Sequence, residues 1–175
     1  MYETEVISVD RAALPQAMLP MFKTHCRVSY TDDDQYLSLC LVRAIDLCER
    51  HWGSFVFGTV VLWTTSYRAQ RRELPVAPVQ SFTASDEAGN DVTSDYRIKG
   101  EYLERVDGQP VPAGLSVTLH CGYDAYVDMP PSAIDVSFRI GGHLFENREA
   151  VTSYSLDQVP QWMNDLLVGT WIPRA

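Results

Sequence analysis

The chain has 175 residues, 46% hydrophobic and 21% charged, enough to bury a proper core in a soluble globular fold. Its formal net charge is −9, lysine occurs only at Lys23 and Lys99, and the one basic cluster is Arg71-Arg72 with Arg68 nearby; gripping nucleic-acid phosphates calls for a basic face. No apolar run approaches the roughly 20 residues of a membrane helix, and the N-terminus lacks the basic and apolar regions of a signal peptide, so a soluble protein made in the cytosol is expected.

The first predicted element is a short helix over residues 15–26, interrupted by proline, with Met18, Phe22 and Cys26 on one face. Thr31-Asp32-Asp33-Asp34 then reads as a helix start. Thr31 is the expected N-cap and Asp34 its acidic partner, with carboxylates at the positive end of the helix dipole. A divalent-metal reading of the three aspartates lacks the spaced ligands and glycine of a calcium loop. The helix is predicted to run to Arg50 and stop near Gly53. At 100° per residue, Leu37, Cys40, Leu41, Ala44, Ile45, Leu47 and Cys48 form an apolar stripe. Leu39 and Val42 fall on the opposite side, among Ser38, Arg43, Asp46 and Glu49. Such a second apolar spot predicts a neighbouring lobe or subunit.

Between Ser54 and Tyr123 the pattern alternates instead. Strands are predicted over 59–67, 79–85, 91–98, 102–106 and 115–123, with turns at 87–90 and 107–108 and a polar loop over 69–78. Met129-Pro130-Pro131 opens the next helix, proline being tolerated in a first turn. Its expected core stripe is Ile134, Phe138, Gly141 and Phe145, flanked by Leu144. Val136 and Ile140 are expected on the far side as a second apolar face. Gly141-Gly142 costs about 1 kcal/mol per glycine relative to alanine, which predicts close backbone approach. A last helix is expected over 159–168, ended by Gly169. The predicted architecture is therefore α+β: one domain over 1–175, with helices over 14–53, an inserted antiparallel β lobe over 54–124, C-terminal helices over 129–168 and an extended tail over 169–175.

Catalytic signatures do not assemble. The sequence holds no GxSxG, P-loop, GxGxxG or HExxH pattern. His25-Cys26 and His120-Cys121 suggest a two-His, two-Cys zinc site, but adjacent residues on a strand point to opposite faces and in a helix sit about 100° apart. Free buried thiols are the preferred reading. Gly141-Gly142-His143 resembles a piece of an oxyanion-hole motif, yet lies in a predicted helix that consumes its amides. His143 and Glu146 are one turn apart, as unrelated residues often are. No metal, cofactor or catalytic residue is assigned, and an interaction protein is expected.

Four stretches carry a resemblance to a known family. They are TDDD with the helix ending CERHWG, the hairpin region LPVAPVQSFTASDEAGNDVTSDYRI, the passage VTLHCGYDAYVDMPPSAIDVSFRIGGHLFENREAV, and the close VPQWMNDLLVGTWIPR. In this order they resemble the head–tail connector (adaptor) proteins of tailed bacteriophages over nearly the whole chain, HLFENREAV most specifically. Cysteines in the long helix and Gly141-Gly142 depart from the family pattern. The resemblance implies a non-enzymatic virion protein of the neck, made in the host cytoplasm. It implies a homo-oligomeric ring, commonly of twelve copies, docked under the portal protein. Its partners would be the portal and a stopper or tail-completion protein, with double-stranded DNA passing through without sequence-specific binding. Leu39, Val42, Arg43, Val136, Ile140, Glu146, Arg148 and Glu149 are then the candidate subunit interface. The charged ENRE block reads either as register-setting charge at a subunit boundary or as a solvated helix end. Trp171, Ile172, Pro173 and Arg174 are the candidate portal-binding tail, the alternative being that Trp171 folds back onto Trp162. Another neck or tail-completion component, or a small metal-binding enzyme built on the His-Cys pairs, are the rival functions.

Overall fold

A computed structural model describes residues 3–147 together with Asp165, Leu167 and Val168. The fold is α+β, in two compact units: a helical one holding described residues from 11–53 and from 124 onward, and a β one holding residues 3–10 and 54–123. The β unit is therefore not solely an insertion between helices, because the N-terminal segment contributes a strand to it.

The helical unit is built from α1 (Ala13–His25), α2 (Asp34–Trp52) and α3 (Pro131–Glu146). On α1, Leu14, Met18 and Phe22 recur at helical spacing and are buried. Pro20 sits inside this helix, and the Thr24 hydroxyl donates to the Pro20 carbonyl at 3.0 Å. On α2 the buried face is Leu37, Cys40, Leu41, Ala44, Ile45, Cys48 and Trp52, close to the expected stripe, with Leu47 only half-buried. Gly53 ends α2 with φ 63°, and its amide donates to the Glu49 carbonyl at 2.9 Å. That left-handed turn is where glycine is favoured.

The start of α2 differs from expectation. The helix begins at Asp34, its N-cap is Asp33, and no side-chain cap bond forms. Thr31 is not the cap; its carbonyl instead accepts the Asp34 amide at 3.1 Å in the preceding turn. The Asp34 carboxylate cannot reach back as a capping-box partner because it is held by the Lys23 ammonium of α1.

The phase of α3 also differs. Its buried residues are Ala133, Val136, Ser137, Phe138, Ile140 and Gly141, whereas Ile134 and Phe145 are half-buried. Val136 (2% exposed) and Ile140 (0%) are buried within the chain, so they form no exposed second apolar face. The reason is close packing. α3 lies against both α1 and α2, and it approaches through small residues. A Cβ on Gly141 would come within 2.9 Å of Phe22 Cζ and 3.7 Å of Ala44 Cβ. The rotation of a helix follows how near its neighbours come, and bulky residues alone mislead about it.

The β unit contains two antiparallel sheets. The first, ordered β1-β2-β7-β4, joins β1 (Glu3–Asp10), β2 (Gly58–Thr64), β7 (Ser116–Cys121) and β4 (Val79–Ser85). The second, ordered β3-β6-β5, joins β3 (Arg72–Glu73), β6 (Tyr102–Arg105) and β5 (Tyr96–Lys99). Alternation along β2 and β7 places Thr59, Val61 and Trp63 opposite Cys121, Leu119 and Val117, all facing inward. Ala84, Tyr96, Leu103, Val111 and Leu115 complete this core. The strand predicted over 91–98 is half irregular, with a 3₁₀ turn at Thr93–Asp95 before β5. Two strands lie where none was expected: β1, and β3 within the predicted loop over 69–78.

One motif residue has a steric reason. Gly122 adopts φ 85°, and a Cβ there would meet the Phe57 carbonyl oxygen at 2.0 Å. Its amide donates to the Pro78 carbonyl at 3.1 Å and that of Tyr123 to the Val56 carbonyl at 3.0 Å, so the Gly-Tyr pair closes the β unit.

Candidate assembly surfaces

Of the groups that suggested chemistry, His25 and His120 are exposed, Cys121 is buried and Cys26 half-buried. Strand alternation turns His120 outward and Cys121 inward. Burial pushes the Cys121 thiol up to about 12. It does the same to Cys48, partly opposed by a hydrogen bond with the Ser137 hydroxyl at 3.8 Å, and that thiol also stands at about 12. At Cys26, burial and then the Glu146 carboxylate raise the thiol to about 11. Thiols held this far up stay protonated at neutral pH and are poor nucleophiles and poor metal ligands. Among the described residues no group of three or more His, Cys, Asp or Glu is placed to hold a metal ion.

The stretch HLFEN closes α3 by packing and capping. The Phe145 and Tyr36 rings lie 6.0 Å apart, and the Tyr36 hydroxyl donates to the Leu144 carbonyl at 3.5 Å. The Asn147 amide and side-chain nitrogen both donate to the His143 carbonyl, at 3.0 and 2.9 Å, satisfying a carbonyl that the helix end leaves open. Glu146 is exposed, and its charge reaches Cys26. Arg148 and Glu149 lie outside the described residues, as do Trp171, Ile172, Pro173 and Arg174. Of the final predicted helix, Asp165, Leu167 and Val168 are described and helical. Leu167 is buried, and its carbonyl accepts the Trp52 indole N–H at 3.4 Å.

Three surfaces stand out by exposure, open pairing or charge. The first is on α2, where Leu39, Val42 and Arg43 follow one another at helical spacing. Leu39 is 43% exposed, Val42 half-buried and Arg43 exposed. This spot was legible in the sequence.

The second, β1, was not anticipated. It pairs only with β2, with a bulge between Val6 and Ser8, and no other strand flanks it among the described residues. Val6 and Ile7 are each more than half exposed. A long apolar edge of this kind is what monomeric proteins usually blunt. Its sequence signal was only the β-branched content of Thr4, Val6, Ile7 and Val9, with no polar–apolar alternation.

The third is the outer face of the β3-β6-β5 sheet. Arg97 stands opposite Glu104, and Lys99 and Glu73 opposite Tyr102. Arg97 and Glu104 pair at 2.8 Å, and the Arg71 guanidinium lies 4.1 Å from the centre of the Tyr102 ring. The predicted basic cluster is therefore split. Arg71 joins the outer face, while Arg72 is buried and stacks 3.8 Å over Tyr67.

No protein-family profile and no curated protein matches the chain. Solved structures do. The chain is similar to a chain of a "virion of native gene transfer agent (GTA) particle", with TM-score 0.69 and 18% identity over 98% of this chain and 96% of that one. It is similar to a chain of a "neck of native GTA particle computed with C12 symmetry", with TM-score 0.66 and 16% identity over 95% and 93%. A chain of a "neck of empty GTA particle computed with C6 symmetry" matches with TM-score 0.65 and 17% identity over 95% and 94%. Both units thus belong to a fold shared, nearly end to end, with chains of gene transfer agent necks.

Proposed function

We propose that this protein is a structural subunit of the neck of a phage-like particle, a head–tail connector that assembles as a homo-oligomeric ring. In this reading the ring docks beneath the portal protein, offers a platform to a stopper or tail-completion protein, and lets double-stranded DNA pass. It carries out no enzymatic reaction. The observation that carries the reading is the near-complete mutual coverage with neck chains, because a shared helix-plus-sheet plan of one unit alone would match only in part. The surface chemistry supports it. A net charge of −9 suits a wall past which DNA slides without being held, and the exposed Leu39 spot and β1 edge suit a chain with neighbours. Leu39, Val42, Arg43 and Glu146 are the candidate interface residues that remain on the described surface, with Arg148 and Glu149 in the same role beyond it.

A second reading is a different neck or tail-completion component, since neck chains of this fold come from reconstructions with both six-fold and twelve-fold symmetry. Negative-stain imaging of the purified protein mixed with its portal separates the two. Twelve-fold rings on the portal are expected for the connector. Six-fold rings, or rings that bind only a downstream component, would favour the second reading, and a protein that forms no ring in any mixture would overturn both.

A further inference from the structure

The outer face of the β3-β6-β5 sheet gathers three cations, Arg71, Arg97 and Lys99, against two carboxylates, Glu73 and Glu104, in a chain whose net charge is −9. Residues directly opposite on adjacent strands share a face, which is why these side chains come together. Arg97 is satisfied by Glu104. Arg71 and Lys99 have no ion pair among the described residues, and both are exposed. Arg71 is preset by its stack on Tyr102, which fixes a planar fork suited to carboxylates at small entropic cost. Gln70, beside it, donates to the Gly108 carbonyl at 2.7 Å and steadies the segment that carries it.

A surface complementary to this face exists on the same chain. Asp124 and Asp128 are exposed, and neither has an ion pair among the described residues. Between them, in the turn Tyr126–Asp128, Val127 is 71% exposed. An apolar knob flanked by two carboxylates matches an aromatic-centred face on which two cations without ion pairs, Arg71 and Lys99, outnumber the one such carboxylate, Glu73. We propose that the Asp124–Asp128 turn of one copy docks on the Arg71–Tyr102–Lys99 face of the next. Two different patches on one chain make a heterologous contact, the type that closes into a ring when repeated about an axis. This contact rests on the reading of the protein as a ring subunit and supplies one of its subunit interfaces. DNA is the weaker occupant, because two free cations release only about two counterions and the remainder of the chain repels phosphate.

The test compares wild type, R71E/K99E, D124K/D128K and the four-fold combination, each checked for folding by circular dichroism. Assembly is read by mass photometry with and without the portal. Each double variant is expected to lose rings at least ten-fold in apparent affinity, and the four-fold variant, with both charge patterns exchanged, to regain them. Should a double variant fail to fold, R71A/K99A and D124N/D128N remove the charges without reversing them and are expected to weaken assembly in the same direction. Wild-type rings that persist in both doubles would overturn this contact and leave the ring reading standing. Loss without rescue in the four-fold variant would show that the two patches do not meet. A wild type that never assembles would overturn the ring reading itself. Binding of a labelled 20-base-pair duplex that R71E/K99E abolishes while rings persist would assign the face to DNA and overturn the proposal.

Discussion

Gly141 and Gly142 are adjacent in α3 yet have opposite constraints. At Gly141 an added methyl group meets Phe22 at 2.9 Å, and Phe22 is itself fully buried. At Gly142 the nearest atoms, from His25 and Cys26, are 3.7 to 3.8 Å away, an ordinary contact. Gly141→Ala is therefore expected to destabilise the protein by about 1–3 kcal/mol through overpacking. Gly142→Ala is expected to stabilise it by up to about 1 kcal/mol through helix propensity. Urea unfolding of the two variants checks both signs, and equal effects would mean that Gly141 is not the contact point between α1 and α3. The cysteines give a second expectation at this scale. The folded protein holds the Cys48 thiol at about 12, against an ordinary 9.0. A raised folded value favours the protonated native state below pH 9, and that contribution is lost as pH climbs from 9 toward 12. Native protein at pH 8 should thus resist iodoacetamide at Cys48 and Cys121, and melting temperature should fall with pH above 9. Rapid labelling of the folded protein at either residue would contradict the burial.

The helices show how one element serves two masters. α2 buries Leu37, Leu41, Ala44, Ile45 and Cys48 against its own unit and leaves Leu39 and Arg43 outward. Leu39→Asp with Arg43→Glu should leave circular dichroism and melting almost unchanged, since surface substitutions usually fall within about 0.5 kcal/mol. The same pair should abolish ring assembly with the portal. Unfolding would mean that Leu39 supports the fold, and unimpaired assembly would remove α2 from the interface. α3 offers no such second face, because Val136 and Ile140 are already enclosed. Among the strands, β1 is the counterpart of the α2 spot: it is paired on one side and exposed from Thr4 to Asp10, where β7 is flanked by β2 and β4.

At the scale of the whole molecule, the chain crosses between its two units, among the described residues, at Asp10–Arg11, Gly53–Ser54 and Tyr123–Asp124. The third of these crossings leads into the knob at Val127. The tail is the remaining expectation. Trp171, Ile172, Pro173 and Arg174 combine an aromatic side chain, a proline and a cation, the composition expected of an interface hot spot. Deleting residues 169–175 should leave the melting temperature unchanged while abolishing portal binding. A fall of several degrees with portal binding retained would instead place Trp171 in the subunit's own core.

From sequence alone, periodicity determined the class and most elements. α1, the buried stripe of α2, the strand at Val79–Ser85, and the proline start of α3 are local consequences of spacing and backbone chemistry. The exposed Leu39 spot followed from the same angular argument. Tertiary structure decided what spacing could not. The phase of α3 depended on how closely Phe22 and Ala44 come to Gly141, a distance no single segment encodes. The α2 cap depended on Lys23, eleven residues upstream, which captures the Asp34 carboxylate. β1 and β3 depended on partners: a strand of mixed polarity gains its hydrogen bonds from β2 or β6 across long stretches of chain. The cationic face likewise exists only because pairing register sets Arg97 and Lys99 of β5 beside Tyr102 of β6, over which Arg71, just before β3, stacks, and register is a property of neighbours.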